Sequence, residues 1–191
     1  AFMDETGEMF GEEYTLVACA DYVLSKTPGN TVSNLSSTRA LRDVTEAAGG
    51  QYFASAVGEV NVVTKMKEKQ AVIGGEGNGG IIDPNLHYGR DALVGIALFL
   101  SLLAQRKCSV SALKASYPKY YMSKGKIALD ASLDVDALLT KMEHNYQADQ
   151  PLTIDGLKID FPEGWVHMRK SNTEPIIRVY AEAATQEQAD A

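Results

Sequence analysis

Residues 71–82 combine two short apolar runs with a glycine-rich turn, and their order decides the fold: Ala71-Val72-Ile73-Gly74-Gly75-Glu76-Gly77-Asn78-Gly79-Gly80-Ile81-Ile82. The apolar run over 71–74 predicts a short strand. The run after the glycines predicts extended backbone, which Pro84 then breaks. The glycines between the two runs indicate a chain that bends sharply or approaches a ligand closely.

Helices and strands alternate on both sides of this stretch. The spacing of apolar residues and the positions of Gly and Pro predict where each element begins and ends. The elements predicted in this way are helices over 11–26, 38–48, 60–69 and 91–106 and strands over 31–35 and 51–54. The Ser and Thr side chains of residues 36–38 offer an N-cap to the second helix. This alternation predicts an α/β layered domain.

The pattern changes after Pro118, where strands crowd together. The elements predicted there are strands over 120–129, 165–169 and 176–183, a helix over 135–146, a hairpin over 151–160 and a helix from residue 185. Such a mixture is typical of an α+β domain. We therefore expect a first domain over residues 1–117 and a second domain over residues 118–191.

The composition narrows the classes of function. The chain has 191 residues, of which 45% are hydrophobic, and a formal net charge of -7, which argues against disorder and against a general nucleic-acid binder. No apolar run reaches the roughly 20 residues of a membrane span, so no membrane partner is expected. Cys19 and Cys108 lie in mostly apolar stretches and do not resemble a disulfide framework or a zinc site, which favours a reducing, cytoplasmic location.

The glycine-rich turn admits two functional interpretations. Gly75, Gly77 and Gly80 match the spacing of a dinucleotide-binding fingerprint, but that fingerprint needs a helix directly after the glycines, and extended backbone is predicted instead. Alternatively, Glu76 and Asn78 project from the loop into solvent, where a carboxylate and an amide suit the hydroxyls of a sugar. A plain glycine-rich turn with two solvated side chains remains open at this point.

A second polar loop lies between the last two predicted strands, with Arg178 beyond it: Arg169-Lys170-Ser171-Asn172-Thr173-Glu174-Pro175. The guanidinium offers a bidentate fork, the hydroxyls donate hydrogen bonds, and the turn exposes backbone N–H groups. This is the chemistry of a phosphate cradle. An ordinary polar hairpin loop explains the same residues equally well.

The histidines and the tryptophan give weaker signals. His87 lies beside a proline loop, and His144 lies on a charged helix face, so we expect both to be structural or solvated. His167 alternates along a strand near Arg169 and is a minor candidate for lining the same pocket. Trp165 is expected in the core or at its rim.

The two loops lie about 90 residues apart. Taken together and in this order, they resemble the corresponding loops of the α-D-phosphohexomutase family. That family includes phosphoglucomutases, phosphomannomutases and phosphoglucosamine mutases. Residues 56–68 are similar to the stretch before the family's sugar-binding loop. Residues 156–165 are similar to the strand-turn-strand before its phosphate-binding loop. The resemblance covers essentially the whole chain.

The resemblance implies a specific fold and domain arrangement. Residues 1–117 would form the third domain of the family, with a mixed sheet, and residues 118–191 most of the fourth, an α+β fold similar to the TATA-binding protein. The family's first two domains carry a phosphorylated serine and the loop that binds Mg²⁺. We therefore expect the chain to be a fragment that contains no catalytic or metal-ligating residue, that partners those domains and that is inactive alone.

The resemblance also implies an activity and a set of binding residues. The parent enzyme would be an isomerase that moves phosphate between the 1- and 6-positions of a hexose through phosphoserine and a bisphosphorylated intermediate. In this sequence the sugar would be held by Glu59, Glu76, Gly77 and Asn78. The phosphate that does not react would be held by Arg169, Ser171, Asn172, Thr173 and Arg178.

The sequence departs from the family pattern at four positions. Many relatives have serine where Asn78 stands and histidine where Gly80 stands, and some have histidine and lysine where Glu59 and Ser36 stand. A carboxylate at residue 59 suits a protonated 2-amino group, which suggests a hexosamine phosphate as the substrate. Phosphomannomutase or phosphoglucomutase activity, and a non-catalytic module that binds phosphosugars, remain as alternatives.

Overall fold

The computed structural model describes residues 1–128, 134–171 and 174–191 of the chain. They form two compact units, Ala1–Lys119 and Tyr120–Ala191. Among the described residues, no helix is long and apolar enough to cross a membrane. The two cysteines are free thiols, and burial raises the pKa of Cys19 to about 12.

The first unit is a mixed sheet between helices. Its elements are α1 (Glu12–Leu24), β1 (Asn30–Asn34), α2 (Ala40–Ala47), β2 (Tyr52–Ser55), α3 (Glu59–Lys69), β3 (Ala71–Glu76), β4 (Gly80–Ile82), α4 (Ala92–Arg106) and α5 (Val110–Ala115). The strand order is β2-β1-β3-β4, in which β1 runs parallel to β2 and β3 while β4 runs antiparallel to β3. The predicted α/β class with a mixed sheet is confirmed.

Apolar side chains on both faces of the central strands form the core of this unit. Val32 of β1 and Ile73 of β3 are fully buried, as are Val62 and Met66 of α3. Helix α4 begins where the side chain of Asp91 accepts hydrogen bonds from two backbone N–H groups of the first turn. Burial of these residues keeps the sheet and its flanking helices in place.

Parallel pairing brings three strand ends to one edge of the sheet. Strands β1, β2 and β3 end at Asn34, Ser55 and Glu76, and the loops that follow them leave from the same edge. In parallel sheets, polar side chains at this carboxyl edge are the ones that meet a ligand. The glycine-rich turn leaves from this edge.

The second unit is an antiparallel sheet with helices. Its elements are β5 (Tyr121–Ala128), α6 (Val135–Asn145), a short 3-10 helix (Gln147–Asp149), β6 (Leu157–Asp160), β7 (Gly164–Lys170), β8 (Ile176–Ala183) and α7 (Gln186–Asp190). The strand order is β5-β8-β7-β6, with every neighbouring pair antiparallel. The predicted α+β class is confirmed.

The two faces of this second sheet differ in chemistry. Leu157, Ile159, Met168 and Ile177 form one buried cluster with Val135 of α6. Because successive strand residues point to opposite faces, the residues next to these in sequence lie on the other face. Arginine and lysine side chains are therefore concentrated on the face away from that cluster.

The predicted hairpin over 151–160 needs correction in detail. The first strand of the expected hairpin over 151–160 is reduced to a single bridge between Leu152 and Lys158. Gly156 has φ of 72° and lies so close to β7 that a Cβ atom there would be 2.2 Å from the carbonyl oxygen of Met168. The chain therefore packs against β7 at this turn instead of extending a regular hairpin.

A glycine pair tests how tightly the second sheet is packed. A Cβ atom at Gly164 would lie 2.0 Å from the backbone oxygen of Glu182, whereas at Gly125 it would find its nearest neighbour at 3.6 Å. We expect Gly164→Ala to lower the free energy of unfolding by about 2 kcal/mol or more because the strands must move apart. Urea denaturation measures this. Gly125→Ala is the control, and equal effects of the two changes would contradict the packing described here.

Candidate functional site

The glycine-rich stretch forms a hairpin between β3 and β4. Gly75 pairs with Ile81 and Glu76 with Gly80, and the turn between the strands covers residues 77–79. Gly79 has φ of 83°, a conformation that favours glycine, and its N–H donates to the carbonyl oxygen of Glu76 at 3.2 Å. A strand and not a helix follows the glycines, so the dinucleotide interpretation is wrong.

Glu76 is buried at the carboxyl edge of the sheet and does not project into solvent as expected. Only 5% of the residue is exposed. Its Oε1 accepts a hydrogen bond from the side-chain amide of Asn34 at 3.0 Å and from the N–H of Gly58 at 3.2 Å. These donors come from the ends of the two neighbouring strands, which explains how a carboxylate is tolerated there.

Asn34 ties the loop after β1 to the glycine-rich turn. Its Oδ1 accepts from the N–H of Ser36 and from the hydroxyl of Ser37, each at 3.0 Å. The hydroxyl oxygen of Ser37 in turn accepts from the N–H of Gly77 at 3.0 Å. The Ser37 hydroxyl is thus engaged in the turn and does not cap α2, which begins at Ala40. Of the three residues expected to offer a cap, Thr38 accepts from the N–H of Ala40 at 3.2 Å.

Gly77 and Asn78, both expected to bind sugar, differ in exposure. Gly77 is buried, and a Cβ atom there would lie 1.9 Å from a carboxylate oxygen of Glu13. Asn78 is exposed, and its side-chain oxygen accepts from the N–H of Gly80 at 3.1 Å. Its amide nitrogen is placed at the rim of the turn, where a ligand can reach it.

Arg90 is a residue of the site that the sequence interpretation missed. Its Nε donates to Glu59 Oε2 at 2.7 Å, its backbone N–H donates to Glu59 Oε1 at 3.3 Å, and its Nη1 lies 3.3 Å from Glu76 Oε2. The Arg90 guanidinium lowers the pKa of Glu59, and Glu59 raises the pKa of Arg90. Arg90 therefore joins the two carboxylates that the sequence singled out separately.

The position of Arg90 depends on Gly80, which no local pattern in the sequence indicates. A Cβ atom at Gly80 would lie 2.5 Å from Cδ of Arg90, so the absence of a side chain there leaves room for the arginine. An open pocket of about 480 Å³ lies at this place and is lined by Glu59, Asn78, Gly79, Gly80, Ile81, Arg90, Asp91 and Ala92. Of the four sugar candidates, Glu59 and Asn78 line it.

The phosphate candidates lie on the cationic face of the second sheet. Arg169 of β7 stands directly opposite Arg178 of β8, which in turn stands opposite Lys126 of β5. Cross-strand neighbours share a face, so three cations form one row. Lys126 was not among the sequence candidates, although its alternation along the strand indicates this face.

Arg169 is the most enclosed of these cations. Its side chain is 15% exposed, and Nη1 lies 3.8 Å from a carboxylate oxygen of Asp155. Among the described residues, its buried Nε has no hydrogen-bond partner. An oxyanion bound here would satisfy that donor.

Two further phosphate candidates, Ser171 and Arg178, lie near the end of β7 and the start of β8. Ser171 is buried, and its N–H donates to the carbonyl oxygen of Ile176 at 2.9 Å. Arg178 is held by Glu174 through a contact of 2.9 Å. Asn172 and Thr173 lie outside the described residues.

The histidines and the tryptophan are placed as follows. His167 is 1% exposed, and its candidacy as a lining residue beside Arg169 stays a prediction. Trp165 is in the core, where its Nε1 donates to Glu182 at 2.8 Å. His87 pairs with Asp91 at 3.1 Å, and His144 is exposed on α6. Within residues 1–128, 134–171 and 174–191, no group of three or more His, Cys, Asp or Glu side chains could hold a metal ion.

Comparison with protein families decides the identity of both units. A model described as phosphoglucomutase/phosphomannomutase, alpha/beta/alpha domain III, matches residues 11–121, and one described as phosphoglucomutase/phosphomannomutase, C-terminal domain, matches residues 123–191. The chain belongs to the phosphoglucomutase/phosphomannomutase family. The resemblance drawn from the two loops is thereby confirmed.

Individual family members are similar over almost the whole chain. A phosphoglucomutase/phosphomannomutase of Thermococcus kodakarensis is 34% identical over 98% of this chain and 41% of its own length. A probable phosphoglucosamine mutase of Methanopyrus kandleri is 30% identical over 98% of this chain and 42% of its own length. The chain thus spans less than half the length of these curated relatives.

A solved structure of the family supports the fold. A phosphoglucomutase/phosphomannomutase family protein of Burkholderia thailandensis superposes with a TM-score of 0.78 at 26% identity. The match covers 96% of this chain and 40% of that chain. Both units therefore have the fold of the family's third and C-terminal domains.

The hydrogen-bond network around Asn34 predicts that two asparagine-to-alanine variants differ in stability. Asn34→Ala removes a donor to buried Glu76 and an acceptor for Ser36 and Ser37, so we expect it to lower the free energy of unfolding by about 1–3 kcal/mol. The control is Asn61→Ala, at an exposed asparagine that donates only to its own helix region, with an expected change within about 0.5 kcal/mol. Thermal denaturation distinguishes them. Equal losses would show that the Asn34 network is not stabilising.

Burial of His167 predicts a pH dependence of stability. Burial lowers its pKa below the ordinary value of 6.5, and its Nε2 lies 2.7 Å from the carbonyl oxygen of Asp155, so the folded ring is neutral and Nε2 carries the hydrogen. Below about pH 6.5, His167 binds a proton more readily in the unfolded chain than in the folded chain. The free energy of unfolding therefore falls as the pH falls. Histidine-to-glutamine variants at 167 and, as control, at exposed His144 should be unfolded with urea between about pH 5 and pH 8. Only His167→Gln should flatten the profile, and a slope that survives it would contradict this assignment.

Proposed function

We propose that this chain supplies the substrate-holding part of a phosphohexomutase, an enzyme that interconverts hexose 1-phosphates and hexose 6-phosphates. The observation that carries the proposal is the fixed carboxylate of Glu76, which Asn34, Gly58 and Arg90 hold beside an open pocket. Family membership of both units supports it. The first domain would contact the sugar, and the second would bind the phosphate that does not react.

The proposed sugar site uses groups that bind hydroxyls. Glu59 and Asn78 line the pocket and offer a carboxylate and an amide. Glu76 and Gly77 lie behind them in the same turn, where Glu76 orients Arg90. Hydroxyls of a hexose can donate to the carboxylates and accept from the amide and the guanidinium.

The proposed phosphate site is built around two arginines. Arg169 has a buried Nε that can donate to a phosphate oxygen, and Arg178 stands beside it on the next strand. Ser171, Asn172 and Thr173 would add hydroxyl, amide and backbone donors from the loop. Holding the remote phosphate fixes the position of the reacting end, because a bound substrate explores fewer orientations.

The proposed reaction needs parts that the described residues do not provide. A phosphoserine would give its phosphoryl group to a sugar monophosphate, and the resulting bisphosphate would return its other phosphoryl group to the serine after turning round in the site. Among the described residues, no group of three or more His, Cys, Asp or Glu side chains fits Mg²⁺. By resemblance to the family, the serine and the metal ligands would lie in its first two domains, and the complete protein would be cytoplasmic.

A second candidate substrate is a hexosamine phosphate. The pocket brings together the carboxylates of Glu59 and Asp91 with a single arginine, so its charge suits a protonated amino group. The similarity to a probable phosphoglucosamine mutase supports the same choice. Hexose and hexosamine phosphates therefore both belong in the test of function.

The decisive experiment uses the complete gene product and ³¹P NMR to follow 1-phosphates and 6-phosphates of glucose, mannose and glucosamine. We expect conversion of at least one pair, and a loss of about 100-fold or more in kcat/KM for Arg169→Ala, because the remote phosphate loses its anchor. The control is Lys170→Ala, since the neighbouring Lys170 lies on the opposite face of β7.

The outcomes separate the candidate functions. Binding of sugar phosphates without conversion would indicate a non-catalytic phosphosugar-binding module. Equal losses for Arg169→Ala and Lys170→Ala would contradict the proposed phosphate site. The isolated 191-residue chain should bind sugar phosphates weakly and convert none.

A further inference from the structure

The arginine of the pocket depends on a glycine. Cδ of Arg90 passes 2.5 Å from the place of a Cβ atom at Gly80, and Cγ passes at 3.2 Å. Any side chain at residue 80 would need the same space. Because the close atoms belong to the flexible side chain of Arg90, a side chain at residue 80 would push Arg90 away from its present position at Glu59 and Glu76.

The two carboxylates that Arg90 contacts differ in how much they need it. Glu76 is 7% exposed at its side chain and keeps two other donors, Asn34 and Gly58. Glu59 is 36% exposed, and Arg90 itself is 46% exposed. An ion pair with that much solvent contact is worth little, so the Arg90–Glu59 pair can open at little cost. At Glu76 the two donors to Oε1 then remain, and only the contact between Oε2 and Arg90 is lost.

Other charges around the pocket do not replace Arg90. His87 lies close by but contacts Asp91 at 3.1 Å, and Asp91 also caps α4. The carboxylates that Arg90 contacts are therefore those of Glu59 and Glu76, while Asp91 lines the pocket beside His87. These three carboxylates exceed the one guanidinium by two negative charges, and by three without Arg90.

We propose that Arg90 is a specificity-determining residue that acts as an exchangeable counter-ion for Glu59. The inference rests on the proposed sugar site. A neutral 2-hydroxyl binds with Arg90 in place, accepting from the guanidinium and donating to Glu59. A protonated 2-amino group takes the place of the guanidinium at Glu59, while Arg90 turns to solvent. Arg90 thus lets one pocket accept both classes of sugar and limits its preference for the cationic one.

Loss of the positive charge of Arg90 should shift the preference of the pocket towards the amino sugar. In Arg90→Gln the pocket keeps both carboxylates but no competing cation. We expect glucosamine 6-phosphate to gain over glucose 6-phosphate by about threefold to tenfold in the ratio of dissociation constants, and in the ratio of kcat/KM mainly through KM. Comparing the two ligands cancels any general effect of charge on phosphate binding.

The experiment measures both ligands by isothermal titration calorimetry and by turnover in the complete gene product. Arg90→Lys should return the ratio towards the wild-type value because it restores the charge. Gly80→Ala should act like Arg90→Gln because a methyl group displaces the arginine without changing the charge, and it replaces Arg90→Gln if that variant fails to fold. The matched control is Arg106→Gln, which removes a 40% exposed arginine paired with Asp21 in the same unit and should leave the ratio unchanged.

Every outcome bears on one of the two proposals. An unchanged or reversed ratio in folded Arg90→Gln and Gly80→Ala overturns the role of Arg90, as does an Arg90→Lys variant identical to Arg90→Gln. Absence of turnover with intact binding overturns the proposed enzyme function but still leaves the binding ratio to decide on Arg90. Absence of binding of both sugar phosphates overturns both.

Discussion

A carboxylate buried at the edge of a parallel sheet needs hydrogen-bond donors, and in this protein the supply of donors to Glu76 organises the loops around it. Asn34 and Gly58 follow neighbouring strands and both donate to the same oxygen. A buried carboxylate without donors would strongly destabilise the fold. The hydrogen bonds that Glu76 accepts therefore link the ends of β1 and β3 to the loop after β2. The pocket of the first unit is a consequence of that requirement, since Arg90 reaches the other oxygen from the solvent side.

In the second unit, strict alternation along antiparallel strands has the same organising effect. The apolar residues of β6, β7 and β8 meet α6 on one face, which forces Arg169, Arg178 and Lys126 onto the other. Cations placed opposite each other repel, so the row is costly unless anions compensate it. Asp155 and Glu174 provide part of that compensation, and the proposed phosphate would provide more.

Much of the fold could be predicted from the sequence because its elements carry strong local signals. The apolar character of residues 91–106 predicted α4 to within one residue, and the apolar runs predicted the strands. The roles of Ser36 and Ser37 could not be predicted in this way, since Asn34 competes with the helix for them. Glu76 was placed in solvent because the sequence does not reveal donors that arrive from two other strands. Arg90 was missed because its access through Gly80 depends on tertiary packing.

The turn between β3 and β4 is held by hydrogen bonds within the protein itself. The N–H of Gly77 donates to Ser37, and the N–H of Gly79 closes the turn on Glu76. A loop that must be ordered on binding spends part of its interaction energy on lost conformational entropy, roughly 1–2 kcal/mol for each backbone residue. In this turn the conformational entropy is already lost on folding. In the proposed sugar site, contacts with a ligand would therefore be available almost in full as affinity, so that a few polar groups of an open pocket would suffice for discrimination.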